Sequence, residues 1–186
     1  MEKREKAQKT ILTHVVWSVG AGFVPIPLLD LAAVTAIQLD MLKQIATIYE
    51  VDFSHSEGKV WVSALTGSVL ARIGANALKL IPGIGTLLGG VSMAVMSGGS
   101  TYAMGQVAIT HFESGGTFAR IDLDWAKKIY EDEYEKGKRV ATKAAENRKG
   151  SQEVFEKLEK LGQLREKGVI TEEDFDTQKK KLLDML

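Results

Sequence analysis

The chain has 186 residues, enough for one full domain and a small appendage but too few for two full domains. Its 24 basic and 24 acidic residues give a formal net charge of zero, which excludes a general electrostatic attraction to nucleic acid. Because the sequence contains no cysteine, it excludes disulfides, thiolate metal sites and cysteine nucleophiles.

The sequence opens with the charged segment MEKREKAQKT, and an apolar helix is predicted over residues 7–21. A charged start before an apolar run is also typical of a signal peptide. This run, however, continues through Pro25 and Pro27 without an A-x-A cleavage site. We therefore expect the segment to remain in the protein, with the amino terminus in the cytoplasm.

The segment GAGFVPIPLLD forms the first predicted corner, because Pro25 and Pro27 cannot continue a helix. Asp30 is the candidate N-cap of a second helix over residues 31–49, which begins apolar on all sides and ends amphipathic. N-capping is the simplest explanation of Asp30. A charge that lines a polar cavity or an ion path is the alternative.

A third helix is predicted over residues 57–80 with Ser54 or Ser56 as its N-cap, and the segment IPGIGT forms a second corner after it. Residues 81–109 contain no charged residue and are long enough to cross a bilayer. Small residues four apart in this stretch favour close packing between helices. The residues predicted to form corners and close packing are Pro25, Pro27, Asp30, Pro82, Gly83, Gly85, Gly89 and Gly105.

Two interpretations of the apolar half stay open at this point. In the first, residues 81–109 enter a membrane, and residues 11–39, which two prolines interrupt, dip partway into it. In the second, the protein is wholly soluble, because water-soluble bundles also bury helices that are apolar all round. The sequence favours the first interpretation.

The segment ESGGT is predicted to break the chain after His111. A long charged helix should follow over residues 123–148, with a linker at residues 149–151. Tyr102, His111, Gly115 and Gly116 belong to the most distinctive block before that helix. Packing is the ordinary role of such residues, and a surface for a protein or lipid partner is the alternative.

Residues 151–186 predict a hairpin of two short helices, in which Gly168 stops the first helix and Thr171 caps the second. Asp174, three residues after Thr171, gives a near-match to a capping box. Helices of about 14 residues are marginal alone, so the hairpin needs a partner surface, most simply another copy of itself. The residues predicted to oligomerise are Phe155, Leu158, Leu161, Leu164, Ile170, Phe175, Leu182 and Leu183.

No motif in the sequence predicts catalysis, a cofactor or a metal. The segment PGIGTLLGG lacks the Lys-Ser/Thr ending of a phosphate-binding loop. The three histidines, His14, His55 and His111, are too far apart in sequence to form a helix metal site. We therefore expect a protein that is not an enzyme.

Three sequence blocks resemble the YcjF-like bacterial domain of unknown function (domain of unknown function 697). They are GFVPIPLLDLAAVTAIQLDMLKQIATIYEVDFS, LKLIPGIGTLLGG and TYAMGQVAITHFESGGT. The tail FEKLEKLGQLREKGVITEEDFDTQKKKLLDML is similar to the short C-terminal oligomerisation module called SHOCT. The first resemblance implies membrane association and an association with small GTPases. The second implies homo-oligomerisation.

The predicted architecture is all-α, with two helical hairpins, a long charged helix and a C-terminal two-helix hairpin. Its predicted parts are residues 1–120, the apolar domain, residues 121–150, a connecting helix, and residues 151–186, the oligomerisation hairpin. The predicted function is a membrane-associated, non-enzymatic scaffold that homo-oligomerises, with membrane lipid as a partner. The alternatives are an oligomeric pore, transport or membrane-remodelling protein, and a soluble regulatory partner of a small GTPase. The expected location is the bacterial cytoplasmic membrane with both termini in the cytoplasm, or alternatively the cytoplasm.

Overall fold

The computed structural model describes residues 2–21, 27–77, 89–167, 169 and 171–184. The part of the chain so described contains α-helices, one short 3₁₀ turn and no strand, which confirms the all-α prediction. The elements in chain order are α1 (Glu2–Ala21), α2 (Pro27–Tyr49), α3 (His55–Ala77), α4 (Gly89–Glu113), the 3₁₀ turn (Phe118–Arg120), α5 (Leu123–Glu166) and α6 (Glu172–Leu183).

The chain divides into two compact units, Met1–Ala144 and Ala145–Leu186. In the first unit α4 is the central helix, in contact with α1, α2 and α3. It runs antiparallel to α1, since Arg4 pairs with Glu113 at one end of the two helices. At the other end, a Cβ atom on Gly98 would lie 2.7 Å from Val19.

Protein covers the second half of α4 on every side, whereas Met93 near its start is 41% exposed. Ala103, Met104, Val107, Ala108 and Ile109 are fully buried, and the intervening Gln106 is 6% exposed. Within the described residues, we find no helix whose length and apolarity would let it cross a membrane. Residues 98–109 of the uncharged stretch therefore lie in the core of the first unit.

The first two helices begin earlier than the sequence predicts. The charged start of α1 is helical from Glu2, where ion pairs at i,i+4 spacing join Lys6 to Glu2 and Lys9 to Glu5. Helix α2 begins at Pro27, a residue type that suits the first helical position because its ring fixes φ and it needs no N–H partner there. Asp30 thus lies within the first turn of α2, and the prediction that it is the N-cap is wrong.

Helix α3 begins at His55, which places Ser54, and not Ser56, directly before the first helical residue. Helix α4 begins at Gly89. The predictions for Pro25, Pro82, Gly83 and Gly85 lie outside the described residues, as do those for Gly168 and Ile170.

The predicted linker at residues 149–151 is wrong, because α5 continues through it as one helix from Leu123 to Glu166. Gly150 lies in that helix with open space around its Cα. A glycine in a helix interior costs only about 1 kcal/mol relative to alanine, which the flanking helix formers offset.

Candidate interaction surfaces

Three large apolar side chains lie exposed on the outer side of α1. Leu12 is 45% exposed, Val16 54% and Trp17 50%. They lie within one arc of the helix, while Ile11, Val15 and other inward residues of the same helix are buried. The second half of α1 therefore carries two apolar sides, one packed in the core and one open. We call the exposed side chains Leu12, Val16 and Trp17 the outer face of α1.

His14 lies immediately beneath this face, with its ring centroid 4.7 Å from that of Trp17, and is only 1% exposed. Its Nδ1 lies 2.7 Å from the carbonyl oxygen of Thr10, and its Nε2 lies 3.0 Å from Oδ2 of Asp40 in α2. Both partners are hydrogen-bond acceptors. The two contacts hold the ring between α1 and α2.

A buried polar network lies deeper between the helices. The hydroxyls of Ser18 and Thr101 are 2.7 Å apart, and the Gln38 amide donates to Ser100 at 2.9 Å. Tyr130 of α5 also donates to the Ser100 hydroxyl, at 2.7 Å, and burial raises the pKa of Tyr130 well above its usual value. These groups are partners of one another, so the network joins four helices and offers no chemistry to an outside molecule.

The surface of the first unit is charged at the end where α1 begins and α4 ends. Lys3 pairs with Glu50 at 2.8 Å, and Arg4 pairs with Glu113 at 2.7 Å. Tyr49 donates to the same Glu113 carboxylate at 2.9 Å, and burial together with this carboxylate raises the pKa of Tyr49 to about 12. Exposed pairs of this kind contribute little to stability individually.

The corner after α4 brings His111, Gly115 and Gly116 together. Gly115 has φ of +81°, and the N–H groups of Gly116 and Gly115 bond the carbonyls of His111 and Phe112, which makes a Schellman motif. The His111 side chain is 7% exposed and closely approaches Gly116. Both glycines line a cavity of about 460 Å³, whose wall also includes Tyr49, Asp52 and Glu57.

Tyr102 does not belong to that corner. It lies nine residues before His111 on α4, about 14 Å along the helix. There it faces α5 at Gly137, where an added Cβ atom would lie 2.9 Å from the Cβ of Tyr102. The predicted partner surface of Tyr102, His111, Gly115 and Gly116 is therefore split in two, and His111 and Tyr102 lie at helix contacts.

The second unit has little core of its own. Helix α6 has no buried residue, while Phe155 is 60% exposed, Val169 65%, Leu183 45% and Leu164 40%. Leu158, Leu161, Phe175 and Leu182 are half-buried.

Local interactions define the start of α6. The Thr171 side chain accepts from the Asp174 N–H while the Asp174 carboxylate accepts from the Thr171 N–H, which confirms the predicted capping box. The Thr171 hydroxyl, which donates to the Asp174 carboxylate at 2.6 Å, and the Thr171 N–H both lower the pKa of Asp174. Arg165 of α5 pairs with Glu172 at 3.2 Å and covers the Phe175 ring at 4.3 Å.

No group of three metal-ligating side chains converges among the residues that the structure describes. The histidines are instead held by carbonyls, a carboxylate and aromatic rings. His111, for example, lies 2.9 Å from the carbonyl oxygen of Thr117 and 5.5 Å, ring to ring, from Trp61.

The fold and surfaces define a two-unit, all-helical protein with an open apolar face on each unit. Comparison with known proteins places it more closely: the chain belongs to the family described as domain of unknown function 697, which it matches over residues 1–139. Residues 156–183 match the short C-terminal domain SHOCT. The chain is 38% identical over 142 residues to magnetosome membrane protein 22 of Magnetospirillum gryphiswaldense, covering 74% of this chain and 73% of that protein. No solved structure matches the chain.

Sequence reasoning missed the outer face of α1. It treated residues 11–21 as one apolar run, in which the outward Leu12, Val16 and Trp17 could not be separated from the inward Ile11 and Val15. The signal that separates them is the tryptophan, a residue that is common where an apolar surface meets water. The pair formed by His14 and Asp40 was missed because it joins positions 26 residues apart.

Proposed function

We propose that this protein is a membrane-associated scaffold without a catalytic role, and that it assembles into homo-oligomers through its second unit. The observation that carries the proposal is the absence of any buried residue in α6, beside the exposed Phe155, Val169 and Leu183. A helix of 12 residues does not persist in water on its own, so these side chains need a surface to cover them. A second copy of the same hairpin supplies that surface by symmetry.

Membrane association is supported by the relative, which is described as a magnetosome membrane protein. We place this protein at the bacterial cytoplasmic membrane, and its lipid contact is independent of the contact between copies. The SHOCT match over residues 156–183 includes the exposed Leu164, Val169 and Leu183 and begins one residue after Phe155. The two properties together describe a protein that gathers copies of itself on a membrane.

The oligomerisation test uses the full chain in analytical ultracentrifugation. Phe155→Ser and Leu183→Ser remove exposed apolar surface, so we expect each to shift the assembly toward monomers without unfolding the first unit. Gln163→Ser is the matched control, because Gln163 is an exposed polar residue of α5 in the same unit. An unchanged assembly in both apolar variants would contradict the proposed role of this unit.

A further inference from the structure

Charge is segregated along the first two helices. The six charged residues of α1 lie within residues 2–9, and residues 10–21 have none. In α2 the order is reversed: Asp40 and Lys43 lie in its second half, and Asp30 is the one charge before them. Because Lys3 meets Glu50 and His14 meets Asp40, the two helices are antiparallel. The uncharged half of α1 therefore lies beside the half of α2 in which Asp30 is the one charged residue.

Among the described side chains of these halves, the exposed residues are apolar apart from Thr13. On α1 they include Leu12, Val16 and Trp17, which form the outer face, and on the neighbouring half of α2 they are Ala32, Ala33 and Ala36. Residues 22–29, which run from the end of α1 into the first turn of α2, read GFVPIPLL and carry no charge either. The apolar sequence thus continues from one helix to the next.

The polar atoms on this part of α1 have partners within the helix. The Thr13 hydroxyl donates to the carbonyl oxygen of Lys9 at 3.1 Å, and that of Thr10 donates to the carbonyl oxygen of Lys6 at 3.2 Å. Serine and threonine satisfied in this way need no outside partner when water is removed. Contact with an apolar medium therefore leaves neither hydroxyl without a hydrogen bond.

We propose that the outer face of α1 is the lipid-contacting surface of this protein, lying shallowly in one leaflet. Leu12 and Val16 would enter the apolar boundary, and Trp17 would lie at headgroup level, where tryptophan is enriched. The inference rests on the membrane association proposed above and specifies the side chains that carry it.

A lipid surface fits this face better than a second copy does. Protein interfaces surround an apolar centre with a polar rim, whereas here the uncharged sequence continues beyond α1 through residues 22–29. The exposed apolar side chains of the second unit already provide a surface for contacts between copies. The charged pairs of Lys3 and Arg4 lie at the other end of α1, where they face water.

Because the sequence contains no cysteine, a single introduced cysteine can carry a fluorophore at a chosen position. Full-length Val16→Cys carries an environment-sensitive fluorophore and is mixed with vesicles of phosphatidylcholine and phosphatidylglycerol. Val60→Cys is the matched control, because Val60 on α3 is 56% exposed against 54% for Val16. We expect a several-fold rise and a blue shift of emission at position 16, and neither at position 60.

Flotation of the same samples with the vesicles distinguishes failure of this inference from failure of the proposed membrane association. Protein that floats without an emission change at position 16 would overturn this inference and leave membrane association intact. Protein that does not float would overturn both. An emission change that needs no vesicles and disappears on dilution would identify a second copy as the occupant, which also overturns the inference.

Substitutions provide a second readout that does not depend on a label. Leu12→Ser and Val16→Ser remove apolar area from exposed positions, so each should weaken partition into vesicles about tenfold while the circular dichroism spectrum is unchanged. Val60→Ser should leave partition unchanged. Equal partition of all three variants would contradict a contact through α1.

Discussion

Gly105 of α4 and Ile11 of α1 are in such close contact that a Cβ atom at position 105 would overlap the Ile11 side chain. The two helices approach closely at this point because glycine presents no side chain. The next residue along, Gln106, exchanges two amide hydrogen bonds with Gln8 at 3.0 and 2.9 Å, which fixes the register of the pair. The antiparallel contact of α1 and α4 is thus the central packing feature of the first unit.

Gly105→Ala should therefore destabilise the first unit by about 2 kcal/mol, because an added methyl group in a packed core forces neighbouring atoms to move. Urea denaturation followed by circular dichroism measures the change. Gly67→Ala is the matched control, since Gly67 lies within α3 with open space around it. There the methyl group should stabilise the helix by up to about 1 kcal/mol. Equal effects of the two substitutions would contradict a close approach at Gly105.

Glu50, just after α2, has φ of +60°, a left-handed conformation that glycine adopts without strain. The N–H groups of Val51 and Glu50 bond the carbonyls of Ala46 and Thr47, so the helix ends in a Schellman motif with a non-glycine residue at its left-handed position. Glu50→Gly should be more stable than Glu50→Ala by about 1 kcal/mol. Both variants lose the exposed pair with Lys3, so the difference isolates the backbone. Thermal unfolding that ranks alanine at or above glycine would refute the prediction.

High pH should unfold the first unit, because burial raises the pKa of Tyr134 to about 12 and that of Tyr130 further. In the unfolded chain these phenols ionise near pH 10, while in the folded protein they stay protonated. Their contribution to stability is therefore complete below pH 10 and is lost as the pH rises from about 10 to 12. Urea midpoints measured across this range should fall with pH.

Urea midpoints of Tyr134→Phe and Tyr130→Phe over the same pH range show whether these tyrosines cause the loss of stability at high pH. Each variant should remove up to about one proton from the pH dependence of the free energy of unfolding above pH 10. The Tyr130 variant should also lower stability at neutral pH, because it deletes the hydrogen bond to Ser100. A pH dependence unchanged in both variants would show that other groups cause the alkaline loss.

The sequence predicts those features that depend on local chemistry. The helix end at Tyr49, the break at Gly115 and the capping box of Thr171 and Asp174 each follow from residues within a few positions of one another. Features set by distant contacts were not predictable in this way. The hydrogen bonds between Gln8 and Gln106, 98 positions apart, are one example. Competing local signals also mislead, since position 30 carries a good N-cap residue but the proline at position 27 already starts the helix.

The candidate surfaces also differ in whether local sequence or distant contacts define them. The apolar residues of the second unit stand out in sequence because charged residues surround them. The exposed side chains of α1, in contrast, are hidden within an apolar run, and only their contacts with the rest of the unit separate the outward Val16 from the inward Val15. Gly150 was misread as a linker because glycine is common in loops, although a long helix tolerates it.

The capping box of α6 links local structure to assembly. Thr171→Ala removes the hydroxyl that accepts from the Asp174 N–H and donates to the Asp174 carboxylate, at the start of a helix that has no buried residue. It should therefore destabilise α6 by about 1 kcal/mol. If self-association requires a formed α6, the dissociation constant between copies should rise about fivefold, as measured by ultracentrifugation. Thr171→Ser keeps the hydroxyl and should restore wild-type association. An alanine variant that associates as tightly as the serine variant would show that copies meet without an ordered α6.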